Sequence, residues 1–154
     1  MNSQTERLQL AGPAGRIEVL RDAPAEGVAP RGVAVIAHPH PLFGGTMDNK
    51  VITTLAKAFV DAGLATFRFN FRGVGASEGA HDEGRGETED MLRVIEHARH
   101  ALTHVPLYLA GFSFGGAIAT RASCVADFAQ LVLVAPGFRR ITNATNERTA
   151  IVSV

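Results

Sequence analysis

Apolar and polar positions along this chain fall into two kinds of run. Val33-Ala34-Val35-Ile36-Ala37, residues 105–110 and residues 130–135 are short, nearly continuous apolar stretches, the pattern of strands buried on both faces. Residues 64–71 alternate through Ala65-Thr66-Phe67-Arg68-Phe69-Asn70-Phe71 and predict a further strand. Between strands the period changes. Val51, Leu55, Ala58, Phe59 and Ala62 recur at helical spacing and predict a helix over 47–61, with Gly63 where a helix would stop. A second helix is expected from about 86 to 100, with Glu87, Glu89 and Asp90 in its first turn and Arg93, Arg99 and His100 toward its end, as the macrodipole favours. Ahead of these, residues 7–11 and 15–21 flank Gly12-Pro13-Ala14-Gly15 and predict an antiparallel hairpin, and 22–31 read as a connector. Alternation of strand and helix makes this an α/β chain: a mostly parallel sheet with right-handed crossovers and helices on both faces.

The sharpest local pattern is Gly111-Phe112-Ser113-Phe114-Gly115-Gly116, set between an apolar strand and a helix rich in small residues. This is the pattern of a nucleophile elbow, in which a serine is lifted onto a strained strand-to-helix turn and its neighbours at two before and two after must be nearly without side chain. The amide of Phe114, at the helix start, would face a reacting carbonyl. Two more unusual loops follow strands: His38-Pro39-His40-Pro41-Leu42-Phe43-Gly44-Gly45-Thr46, and Arg72-Gly73-Val74-Gly75-Ala76-Ser77-Glu78-Gly79. Ligands of such sheets bind beyond the carboxyl ends of the strands, where all three segments are expected. The second loop lacks the G-x-G-x-x-G spacing and an immediate helix, which argues against a nucleotide site. His38 and His40 form an H-x-H pair that would suit a base or two metal ligands, but no third ligand is evident, and shaping of the loop is the plainer reading. Charged residues over 81–90 read as a solvated loop and helix start.

Composition adds limits. The chain of 154 residues is long enough for one domain with a real core, and residues 138–154 form an atypical polar, then β-prone, tail. Zero formal charge gives no electrostatic case for nucleic acid or an anionic membrane. No stretch reads as a signal peptide or a membrane span, so the expected location is cytoplasmic. The single cysteine, Cys124, leaves no intramolecular disulfide and reads as helix packing.

With the elbow on its strand, the three motifs in order resemble the α/β-hydrolase superfamily, especially its small bacterial members similar to dienelactone hydrolase and esterase-like proteins. The resemblance covers roughly residues 7–138 and implies a serine hydrolase with no metal or cofactor. It would act on a small-molecule ester, thioester or amide through an acyl-enzyme on Ser113. It also implies two backbone oxyanion donors: the amide of Phe114, and one from the His-Pro loop. Pro39 and Pro41 have no N–H, so His40 is the first choice and Leu42 the second. Phe43, Phe112, Phe114 and Phe138 are candidates for an apolar acyl pocket or for plain core. The family's order is serine, acid, histidine, yet all six histidines precede Ser113, and only Asp127 and Glu147 are acidic after it. The chain is therefore expected to correspond to the hydrolase fold without its carboxyl-terminal part. That opens a second function class, a non-catalytic hydrolase-fold fragment or interaction module, whose apolar 131–134 strand near a bare sheet edge would favour self-association.

Overall fold

The computed structural model describes residues 5–135 and 148–152. Among these, β1 (Thr5–Gly12) and β2 (Gly15–Asp22) form the expected hairpin, and β3 (Val33–Ala37), β4 (Ala65–Phe69), β5 (Leu107–Phe112), β6 (Gln130–Val134) and β7 (Thr149–Val152) complete one sheet. Its order is β1-β2-β4-β3-β5-β6-β7. β2 runs antiparallel to β1 and β4, and the remaining pairs are parallel. The helices are α1 (Lys50–Asp61), α2 (Arg85–Ala101) and α3 (Phe114–Ser123).

From β3 the chain crosses by α1 to β4 on one side, then by α2 to β5 on the other. Strand order thus reverses at β3, and the crevice between β3 and β5 is the switch point where open α/β sheets bind ligands. The register places Ala37 beside Gly111, so the His-Pro loop and the elbow leave the sheet side by side.

Strand alternation divides the core between the two faces. Val33, Val35, Phe67, Phe69, Leu109 and Leu133 join α2 and α3 in the larger cluster, whereas Ala34, Ile36 and Ala110 meet Ile52 and Ala56 of α1 in a smaller one. Helix α1 begins at Lys50, three residues later than its apolar spacing suggests. Asn49 caps it, its side-chain oxygen accepting from the Val51 and Ile52 amides at 2.9 and 3.4 Å.

Three expectations need correction. The 131–134 strand is not a bare edge: β7 pairs with β6 from Leu131↔Thr149 to Val134↔Val152, because the β-prone tail residues supply one more strand. Cys124 is exposed at the end of α3, not packed within it, since the helix stops one residue earlier. Glu87 and Asp90 are buried, not solvated, because they share the helix face of Met91 and Val94. Gly137, Phe138, Glu147 and most of the 138–154 tail lie outside the described residues. No described helix is long and apolar enough to cross a membrane.

Candidate active site

Ser113 stands between β5 and α3 with φ 55° and ψ −119°, a left-handed backbone that is uncommon outside glycine. Such a conformation costs on the order of 1–3 kcal/mol and persists only where its surroundings hold it. Here they do. The Ser113 N–H donates to the Val134 carbonyl of β6 at 3.0 Å, and its carbonyl accepts from Gly116 and Ala117 at 2.9 and 3.3 Å. A Cβ on Gly111 would overlap the Gly115 carbonyl, and one on Gly115 would overlap the carbonyl of Ala37 on β3. The two glycines are the condition for strand, turn and helix to pass this closely.

The amides around the serine differ in availability. The Phe114 N–H opens α3 and, like the N–H of His40, has no acceptor among the described residues. The Leu42 N–H donates to Nδ1 of His40 at 3.2 Å, which removes the second-choice oxyanion donor in this conformation. His40 caps a short 3₁₀ turn, Pro41–Phe43, and its carbonyl accepts from Phe43 and Gly45.

The structure separates the two histidines of the His-Pro loop. His38 is fully buried, its Nδ1 lies 2.6 Å from the Pro39 carbonyl, and its Nε2 accepts the Phe71 N–H at 3.1 Å. Burial lowers its pKa to about 4 against a smaller opposing effect of the Pro39 hydrogen bond. With both nitrogens spent on backbone, His38 is a structural imidazole and not a base. His40 turns the other way, its ring 4.8 Å from Phe43, 4.7 Å from Phe114 and 5.1 Å from His81. No group of three or more potential metal ligands occurs among the described residues.

Opposite His40, the loop after β4 carries chemistry that the sequence reading passed over. The Glu87 carboxylate, fully buried, accepts from the Asp82 and Gly84 amides at 2.8 and 2.9 Å. His81 Nδ1 lies 3.1 Å from the same carboxylate. Arg72 grips Asp90 through two parallel hydrogen bonds of 3.1 and 2.9 Å, and its own amide adds a third to that carboxylate. Desolvation nevertheless pushes the Asp90 carboxyl up, while the hydrogen bonds to Asp90 hold the Arg72 guanidinium in its charged form. The signal was present in the spacing: Glu87, Asp90, Met91, Val94 and Ala98 lie on one helical face, and Glu87 stands at the capping-box position after Gly84.

The Gly-rich loop is tied to the hairpin and to the end of β4. Glu18 of β2 accepts from Asn70 Nδ2 and the Ala76 amide, and the Ser77 hydroxyl bridges the Glu18 amide and the Asn70 carbonyl. Asp127 lies on the loop entering β6, at the end of the sheet away from Ser113. Of the four candidate pocket phenylalanines, Phe114 packs toward the larger cluster, Phe112 toward α1, and Phe43 is 85% exposed. A cavity of about 400 Å³ between α1 and the sheet involves none of the elbow residues, and its Asp22 and Arg68 are already paired at 3.2 Å.

Comparison with known proteins agrees with this geometry. A family model described as serine aminopeptidase, S33, matches residues 29–152. An uncharacterized protein of Rickettsia prowazekii (strain Madrid E) is 41% identical over 109 residues, covering 70% of this chain; the chain spans only 45% of that relative's length. Among solved structures, an α/β serine hydrolase homologue from Coxiella burnetii is 41% identical with a TM-score of 0.87, over 99% of this chain and 73% of that one. A lidless α/β serine hydrolase from Xanthomonas campestris is 34% identical with a TM-score of 0.89, over 99% and 72%.

Proposed function

The chain belongs to the serine aminopeptidase (S33) family of α/β hydrolases, and on that footing we propose that it is a serine hydrolase whose nucleophile is Ser113. Its substrate is a small ester, thioester or amide. The Ser113 oxygen attacks the carbonyl carbon, and the negative oxygen that develops is received by the N–H groups of Phe114 and His40. The bond to the leaving group then breaks, and water hydrolyses the acyl-enzyme to release the acid and restore the hydroxyl. Each amide donor is worth about 3 kcal/mol of transition-state stabilisation, by comparison with such donors elsewhere.

The observation that carries this reading is the Ser113 backbone. A left-handed serine maintained by β6, by two glycines that exclude side chains and by a free helix amide is costly to keep for packing alone. A fluorophosphonate probe tests it: wild type should take up one label on Ser113, and Ser113→Ala should take up none. Folded wild-type protein that stays unlabelled would sink the reading.

A further inference from the structure

A carbonyl attacked by Ser113 carries two substituents, an acyl chain and a leaving group, and each needs a wall to lie against. The described residues supply one such wall as a row of aromatic rings that runs from the core to the surface. Phe71, fully buried just beyond β4, meets the Phe114 ring edge-on, with centroids 5.6 Å apart and planes at 84°. Phe114, the residue after Ser113, meets the His40 ring at 4.7 Å, and His40 meets Phe43 at 4.8 Å. His81, from the loop after β4, touches the same His40 ring at 5.1 Å. Every spacing falls in the range where tilted and edge-to-face ring pairs attract, roughly 4.5–7 Å.

The inner rings pack, but the outermost one does not. Phe43 is 85% exposed. A single exposed phenylalanine is ordinary on a protein surface. This one, however, ends the row and is set in a turn that is folded in advance. The His40 carbonyl accepts from the Phe43 and Gly45 amides at 3.1 and 3.0 Å, and the Leu42 amide fixes the His40 ring through Nδ1. Gly44 closes the turn with a left-handed φ of 81°, and a Cβ on Gly45 would overlap the Pro39 carbonyl. A ring held this way loses little freedom when a ligand covers it. The acid beside His81, Glu87, is buried and accepts from the Asp82 and Gly84 amides. The row thus offers ring faces and edges, which suit a neutral aryl group better than an ammonium.

We propose that this row selects the substrate: an ester, thioester or amide with an uncharged aryl group joined to the reacting carbonyl by a short chain, and Phe43 as the specificity-determining residue; this rests on Ser113 being the nucleophile. The aryl ring extends the row by stacking offset or edge-on against Phe43 and His40. Contact between rings gains more than the area it buries, so the wall prefers an aryl group to a saturated ring of similar size. The aryl group can belong to the acyl chain or to the leaving group, since the wall recognises the same ring in either.

The test compares rates of Ser113 labelling by two pairs of fluorophosphonates. Each pair sets a phenylethyl against a cyclohexylethyl group, carried on phosphorus in one pair, as an acyl chain would be, and through oxygen in the other, as an alcohol would be. In the reaction the bond from the Ser113 oxygen to phosphorus forms, fluoride leaves with its electron pair, and the hydroxyl proton passes to water. Corrected for the hydrolysis of each probe in buffer, wild type should label with the phenyl member of at least one pair about fivefold faster than with its cyclohexyl partner. Burial alone predicts the opposite order, because the saturated ring is the bulkier and more apolar. Phe43→Leu should bring the ratio to about one, and Phe43→Tyr should restore the preference. Val125→Ser, at a residue 73% exposed beyond the far end of α3, should leave the ratio as in wild type. The pair that shows the preference assigns the aryl group to the acyl or the alcohol side. Equal rates within both pairs in wild type, or a preference that survives Phe43→Leu, overturn the aryl wall while Ser113 stands. Folded wild type that takes up none of the probes overturns the Ser113 reading and the wall with it.

Discussion

The two loops that flank the β3–β5 crevice differ in what holds them. The loop after β4 spends its polar groups on neighbouring elements: Glu18 and Ser77 fasten it to the hairpin, and Asp90 and Glu87 fasten it to α2. The loop after β3 is held at its tip by its own turn, through Phe43 and Gly45 to the His40 carbonyl and Leu42 to the His40 ring, and at its far end by Arg68 of β4, which donates to the Met47 carbonyl and pairs with Asp48, each at 3.0 Å. Two bonds cross between them, Met47 N–H to Asn70 Oδ1 at 2.8 Å and Phe71 N–H to His38 Nε2 at 3.1 Å. The difference teaches a division of labour. One loop is scaffold that presents an imidazole from a buried charge cluster, and the other leaves a free amide and apolar side chains for whatever enters.

The contrast breaks most violently at the charge cluster. Asp90→Ala would leave the Arg72 guanidinium, 11% exposed, without the carboxylate that takes two of its hydrogen bonds and a third from the Arg72 amide. Stranding one member of a buried pair costs about 3–5 kcal/mol, and Glu89, 3.9 Å from Arg72, recovers little of it from its exposed position. Urea unfolding should therefore find Asp90→Ala about 3 kcal/mol less stable than wild type. A loss below 1 kcal/mol would mean that this loop is no more firmly anchored than its neighbour.

A second difference is sharpened by acid. His38 has a folded pKa of about 4, below the ordinary imidazole value of 6.5, because burial disfavours its charged form. The unfolded chain takes up a proton first as pH falls, so the stability contributed by neutral His38 is full above about 6.5 and is lost on the way down to about 4. At 1.36 kcal/mol per pH unit the loss reaches about 3 kcal/mol, from the crossing point between the loops. Proton NMR of the His38 ring should show no titration until about pH 4. A midpoint near 6.5 would mean that the ring is not confined between Pro39 and Phe71.

How far the sequence discloses this arrangement depends on whether a feature is local. Strand and helix order, the hairpin and the elbow follow from periodicity and turn chemistry, and each lies in the structure within a few residues of its expected bounds. The strained turn at Ser113, with the Phe114 amide at the start of α3, was legible because the glycine spacing states the steric requirement of the turn. The roles of His38, Glu18, Glu87 and Asp90 were not, because each depends on a partner brought together by the sheet order. His38 and His40 look equivalent at i and i+2, yet the strand ends between them and the rings part. The Glu87–His81 contact is close in sequence, but the buried helix face that fixes Glu87 was read as solvent.

The smallest expected effect on stability is at the tip of the loop after β3, and it is the one that separates contact from scaffold. Phe43 is 85% exposed and Leu42 66% exposed, and the Phe43 ring touches that of His40 at 4.8 Å. Phe43→Ser should therefore change folding stability by no more than about 0.5 kcal/mol, as for other surface sites. Full burial of such a side chain is worth about 1.5–3 kcal/mol, so covering part of it with an apolar chain bound beside Ser113 contributes about 1 kcal/mol. That corresponds to roughly a fivefold preference for an octyl over a methyl fluorophosphonate in wild type, lost in Phe43→Ser while methyl labelling is retained. If the variant instead melts several degrees lower, the ring is packing for the turn and the loop is scaffold like its neighbour. If stability and preference both stay as in wild type, the apolar chain leaves the crevice by another side.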